Sequence, residues 1–139
     1  MGVINLTPDS FSDGGKYNNN KDAIKRVKHF IEKGSSIIDI ERETTRPGSK
    51  DVNEKIEWKR IKEVLRKIKK FKNVISIDTR KSTLMKKSIK CGAHIINDVS
   101  GLRHDPNTLK ILKNKKTPFI IHHMQGNPQT MQLKPSYKN

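Results

Sequence analysis

Five short apolar segments of this chain carry or lead into groups that can hold a ligand. Val3–Leu6 carries Asn5, Ile37–Ile40 carries Asp39 and leads on to Glu43, and Val74–Ile77 leads into Asp78. His94–Val99 carries Asn97 and Asp98, and Phe119–His122 ends in His122 and His123. Amides and carboxylates at neighbouring positions can read the donor and acceptor edge of a flat heterocycle. Adjacent histidines on an extended segment point to opposite faces, so His122 and His123 do not form a shared metal pair. The chain has no nucleophile elbow, no glycine loop of the dinucleotide or P-loop type, and no His-Glu-x-x-His helix. The pattern therefore favours binding and orientation of a substrate over covalent catalysis.

The segments between these points are as informative. The stretch NLTPDSFSDGG, Asn5 to Gly15, continues through Lys16–Asn20 and is longer than the two to six residues usual for such a connection. Its Phe11 either stacks on an aromatic ligand when the loop closes or tucks against a rim of the fold. ETTRPG, Glu43 to Gly48, sets Arg46 before a rigid Pro-Gly turn, where a guanidinium suits a carboxylate or phosphate. SIDTRK and HIINDVSGL place Asp78, Asn97 and Asp98 at adjacent strand ends, with satisfied loop caps as the alternative reading. HHMQGNP adds the thioether of Met124.

What must position these groups is legible from periodicity. The five apolar runs are short and rich in β-branched residues, which predicts strands. Between them, Ile24, Val27, Phe30 and Ile31 recur at helical spacing, as do Ile56, Ile61, Val64, Leu65, Ile68 and Phe71. A third helix is expected around Ser82–Cys91 and a fourth around 107–116. Gly34 and Gly92 read as C-terminal stops, and Asp105-Pro106 as an N-cap followed by Pro at the first helical position. The alternation β-α-β-α-β-α-β-α-β predicts parallel strands joined by right-handed crossovers. In such folds the ligand site lies at the carboxyl ends of the strands.

Composition bounds the rest. The 139 residues carry 30 Lys plus Arg against 14 Asp plus Glu, a net charge of +16, with 32% hydrophobic and 5% aromatic residues. No apolar run reaches the roughly 18 residues of a membrane span, and the N-terminus lacks a leader pattern, so a cytoplasmic protein is expected. The single Cys91 reads as a small hydrophobe. Lysines recur along polar helix faces and outnumber arginines 23 to 7, which favours a solvated surface over a nucleic-acid site. The positive field would still draw in an anionic substrate.

Taken in order, NLTPDSFSDGG, ETTRPGS, SIDTRK, GAHIINDVSGL and HHMQGNP resemble dihydropteroate synthase, a pterin-binding family, along essentially the whole chain. The resemblance implies a (β/α)8 barrel that condenses p-aminobenzoate with 6-hydroxymethyl-7,8-dihydropterin diphosphate, using Mg2+, to give 7,8-dihydropteroate and diphosphate. It assigns Asn5 to the metal and diphosphate, Thr45 to the diphosphate, Asp78, Asn97 and Met124 to the pterin, and Phe11, Arg46 and Pro47 to loops around p-aminobenzoate. Asp98 is a further candidate beside Asn97, and no residue is assigned as acid, base or nucleophile. Many family members are homodimers. Three features depart from the pattern, one of them an expected first strand that opens the chain without the lead-in segment that closes the barrel's bottom in relatives. Glu41-Arg42 stands where relatives have two glycines. A closed barrel takes about 250 residues, so the expectation is one partial barrel domain, 1–139, of about five strands and four helices, inactive unless the last three strands are supplied in trans. The competing readings are a pterin-binding methyltransferase domain and a basic protein that binds RNA or a partner without catalysis.

Overall fold

The computed structural model of the chain describes residues 1–6, 19–41, 53–123, 125–126, 130 and 135–137. Five strands alternate with four helices: β1 (Gly2–Asn5), α1 (Asn19–Glu32), β2 (Ile37–Glu41), α2 (Glu54–Ile68), β3 (Val74–Asp78), α3 (Ser82–Lys90), β4 (Ile95–Asp98), α4 (Thr108–Lys115) and β5 (Phe119–Ile121). All strand pairs are parallel and the sheet order is β1-β2-β3-β4-β5, so each crossover connects neighbours. This is the α/β arrangement of a partial (β/α)8 barrel.

The helices bury most of the expected stripes, but Ile56 at the start of α2 is 51% exposed, with Glu57 taking the buried place, and Ile24, Phe30 and Ile31 of α1 are only partly buried. Ala23 and Val27 of α1 lie one turn apart and are fully buried, and α2 buries Ile61, Val64, Leu65 and Ile68 at intervals of three and four. The start of α2 is capped by Asn53, whose side chain accepts from the Lys55 amide at 2.9 Å. Glu54 and Glu57 in its first turn and Arg66 and Lys67 in its last complement the helix dipole. Gly34 and Gly92 take positive φ values of 85° and 102° after α1 and α3, as C-terminal stops require. Position 105 differs from expectation. Helix α4 starts at Thr108 after Asn107, while the Asp105 carboxylate reaches the Ser82 amide at the head of α3 (2.9 Å) and the Asn107 amide (2.9 Å). Asp105 thus ties two helices together and is more than a local cap.

The pleat sorts the sheet into two faces. Ile4, Ile40, Ile77 and Ile96 are register partners, all fully buried, and Ile38 pairs with Ile75 on the same side. These residues form one cluster with Val27, Val64, Leu65, Met85 and Leu112 of the helices. Burial of a side chain of this size contributes about 1.5–3 kcal/mol, so the isoleucine rows dominate the cohesion of sheet and helices. Gly2 opens β1 on this side because the Phe30 ring leaves no room: a Cβ there would lie 2.6 Å from the ring. The opposite face carries the polar residues of the strands apart from Asp98.

Candidate active site

The outermost complete row of that second face is Asn5, Glu41, Asp78 and Asn97, register partners from β1 through β4. Register partners in a parallel sheet share a face, so four hydrogen-bonding groups project together from the carboxyl ends of four strands. The Asn5 Nδ2 donates to Glu41 Oε2 at 3.2 Å. One layer deeper on the same face stand Asp39 and Ser76, also register partners and both buried. Asp39 Oδ2 accepts from Asn97 Nδ2 at 3.2 Å, and Asn97 Oδ1 lies 2.9 Å from His122 Nε2 beyond β5.

Helix α2 and the loops brace this row from outside. Glu57, fully buried, accepts from Lys81 Nζ at 2.9 Å and from Thr79 Oγ1 at 3.3 Å, which fixes the turn immediately after Asp78. The Thr79 amide donates to the Asn97 carbonyl at 3.0 Å, locking the tips of β3 and β4 together. The β4–α4 loop closes on the tip of β5 through Gly101, at φ +63°, where a Cβ would lie 2.8 Å from the His122 carbonyl oxygen.

Of the residues expected at the site, Asn5, Asp78 and Asn97 fall in one row. Phe11, Thr45, Arg46, Pro47 and Met124 lie outside the described residues. Asp98 faces away from Asn97: it pairs with Ile121 across the pleat, and its Oδ1 accepts from the Ser100 amide (2.8 Å) and hydroxyl (2.7 Å). For this residue the loop-cap reading is the right one. The strand ends also bring in groups that motif reading left unassigned. Glu41, noted as a departure in place of a glycine, stands beside Asn5, and Asp39 and His122 bracket Asn97. The signal for Asp39 was a carboxylate set between isoleucines in a buried strand, and for Glu57 an acid on the apolar stripe that continues at 61, 64, 65 and 68. Among the described residues no three His, Cys, Asp or Glu side chains group around a common point for a metal. A cavity of about 350 Å³ lies on the outer layer between α3 and α4, against Thr83, Lys86, Lys110 and Ile111, and none of the row residues line it. No helix among the described residues is long and apolar enough to cross a membrane.

A barrel-type parallel sheet with amide, carboxylate and imidazole groups gathered at its strand tips defines a ligand-binding α/β protein, and the sequence places it more narrowly. The family model for pterin binding enzymes matches residues 1–139, and the chain belongs to that family. Within it the chain is similar to dihydropteroate synthases. It is 44% identical to the Escherichia coli K12 dihydropteroate synthase over 138 residues, covering 99% of this chain and 49% of that protein. The Yersinia pestis dihydropteroate synthase, solved with a sulfonamide drug, superposes with a TM-score of 0.88 at 38% identity, covering 100% of this chain and 50% of that one. The Burkholderia cenocepacia dihydropteroate synthase, solved with 7,8-dihydropteroate, gives a TM-score of 0.82 at 32% identity over 99% of this chain and 46% of that one. The chain spans about half the length of the relatives it matches.

Proposed function

We propose that this chain provides the pterin- and diphosphate-binding strand tips of a dihydropteroate synthase, which joins p-aminobenzoate to 6-hydroxymethyl-7,8-dihydropterin diphosphate and releases diphosphate. The observation that carries this reading is the single row Asn5–Glu41–Asp78–Asn97 at the carboxyl ends of consecutive parallel strands, in a chain similar along its whole length to enzymes of that name. Asp78 and Asn97, adjacent and on one face, offer acceptors and a donor to the amino and ring nitrogen edge of the pterin. Thr79, Lys81 and Glu57 hold the Asp78 turn in place. Substitution at the pterin methylene carbon needs no protein nucleophile. It needs the ring held still and the departing diphosphate stabilised as its negative charge grows.

Mg2+ fits the donor set at the β1 and β2 tips. This ion takes hard oxygen ligands, commonly one or two carboxylates together with substrate phosphates, and the Asn5 amide and Glu41 carboxylate are such groups at hydrogen-bond distance from each other. When bound there, the ion would supply positive charge to the leaving diphosphate. Arg46, from the ETTRPG turn, is the proposed cationic partner for p-aminobenzoate, with Phe11 and Pro47 around it; Thr45 is proposed at the diphosphate and Met124 beside the pterin.

The test is pterin-diphosphate binding by variants of the chain complemented in trans by the other half of a relative. Asp78→Ala and Asn97→Ala are expected to abolish it while Lys69→Ala, whose side chain packs over Gly92 away from the strand tips, retains it. Equal effects of all three remove the pocket assignment.

A further inference from the structure

Asp39 has no role in the site as assigned so far. It sits within β2, only 3% exposed, and reaches across β3 to the side chain of Asn97 on β4, itself 6% exposed. The chemistry of the two neighbours of Asn97 settles which way its amide faces. A carboxylate has acceptors only, so the group turned toward Asp39 Oδ2, 3.2 Å away, is the NH2. The group turned toward His122 is then the carbonyl oxygen, an acceptor only, so the imidazole presents its Nε2–H across the 2.9 Å contact. This leaves one N–H and one lone pair of Asn97 for a ligand, in a fixed order.

We propose that Asp39 is a positioning residue that sets the direction of the Asn97 amide, and so the donor and acceptor order presented to the heterocycle. The proposal rests on the reading of Asn97 as part of the pterin floor. What points beyond simple packing is the condition of the other Asp39 oxygen. Among the described residues Oδ1 is buried without a hydrogen-bond partner, as is the hydroxyl of Ser76, its register partner on β3. A buried carboxylate with an unpartnered oxygen is a poor choice for stability. An amide of the same shape would bury no charge, but it can face either way and would let Asn97 turn over. The carboxylate is the worse residue for folding and the better one for fixing an orientation.

The test compares Asp39→Asn with the unchanged chain, using Ser76→Ala as a neighbouring buried control and Asn97→Ala as a reference for lost binding. Side-chain NMR of the 15N-labelled full chain reads the Asn97 amide and the His122 ring nitrogens. In the unchanged chain one Asn97 amide proton is expected well downfield, on the carboxylate, with His122 protonated at Nε2. Asp39→Asn should erase that downfield shift and keep or raise the melting temperature. It should weaken binding of 6-hydroxymethylpterin, followed by its fluorescence, by about three- to tenfold as the productive amide orientation loses its bias. Ser76→Ala should alter neither signal nor affinity. Unchanged Asn97 signals in Asp39→Asn overturn the proposal, as does a drop in melting temperature with pterin affinity intact. If the unchanged chain, complemented in trans by the other half of a relative, binds no pterin, the reading of Asn97 as a pterin ligand fails, and the NMR comparison still decides whether Asp39 orients the amide.

Discussion

Glu57→Leu is the most demanding perturbation of this architecture, because the residue is an acid in the middle of an apolar helix face. The side chain of Glu57 is fully buried, that of Lys81 is 15% exposed, and their contact is 2.9 Å. Removing one member of a buried ion pair costs about 3–5 kcal/mol, since the other charge stays behind without compensation. Lys81 retains a path to water, which places Glu57→Leu near the low end, at about 3 kcal/mol, or roughly a 150-fold change in the folding equilibrium. The converse change, Lys81→Met, removes the cation from the more deeply buried partner, which keeps its contact with Thr79, and is expected to cost a similar amount. Replacing both together leaves no charge to bury and should return stability to within about 1 kcal/mol of the unchanged chain. Urea unfolding followed by circular dichroism gives all four corners of the cycle. A contrast lies within one turn of the same helix. Glu54 meets Lys87 at 2.8 Å with both side chains more than a third exposed, and Glu54→Gln should shift stability by no more than about 0.5 kcal/mol. If Glu57→Leu costs as little as Glu54→Gln, or if the double variant is no better than the singles, the pair does not hold the Asp78 turn as argued.

Asp105 and Gly101 give two further expectations. Burial raises the Asp105 carboxyl, but hydrogen bonds from Ser82 and Asn107 outweigh it and hold the group below its ordinary 3.8. A depressed folded-state value means that the stabilisation is present in full well above 3.8 and is lost as pH falls through the lowered value. Asp105→Ala should therefore cost about 1 kcal/mol near neutral pH, the usual worth of a helix cap, with the difference vanishing in acid; a pH-independent difference in melting would refute the linkage. Gly101→Ala combines a left-handed backbone with a Cβ 2.8 Å from the His122 carbonyl, whereas Gly34→Ala, at φ +85°, meets nothing within 4 Å. Thermal melts should show Gly34→Ala losing about 1 kcal/mol from backbone strain alone and Gly101→Ala distinctly more; equal losses would mean that the loop yields without disturbing β5.

Most of the architecture was readable from the sequence because its local signals agree. Apolar runs of four to six residues rich in β-branched side chains, helical stripes at three and four, and glycines after α1 and α3 each named the element that formed there. Of the candidate site, the strand tips were readable: Asn5, Asp78 and Asn97 lie at or near the ends of apolar runs, and the register sets them in one row. What was not readable depends on register. Asp98 follows Asn97 directly and looks equivalent in a motif, yet the pleat turns it to the helix side, where Ser100 occupies it. The link from Asp39 to Asn97 spans 58 residues and skips a strand, so no local spacing reports it. Glu41 looked disruptive beside the family pattern, since a side chain there replaces a glycine. The structure gives it a partner in Asn5, which only the alignment of β1 with β2 supplies.

The same register that assembles the site also specifies the fold. On β1 through β4 the row Ile4, Ile40, Ile77 and Ile96 faces the helices, and the row Asn5, Glu41, Asp78 and Asn97 faces the other way. A one-residue slip that draws the tip row inward would put Asn5, Glu41, Asp78 or Asn97 in the place of an isoleucine in the helix-facing core. At about 1.5–3 kcal/mol for each buried isoleucine, a misphased sheet would forfeit roughly 6–12 kcal/mol before any polar desolvation is counted, which is comparable to the whole stability of a domain. The apolar rows therefore hold the polar rows in phase, and the tolerance of the strand-tip groups for error is set by residues on the opposite face of the sheet. Asp39 and Ser76 mark where this division is least comfortable, as buried polar groups in the layer beneath the tips. Two carboxylates are buried in the sheet: Asp98 is held by the amide and hydroxyl of Ser100, and the one at position 39 is accounted for by what it does to Asn97 and not by what it adds to the core.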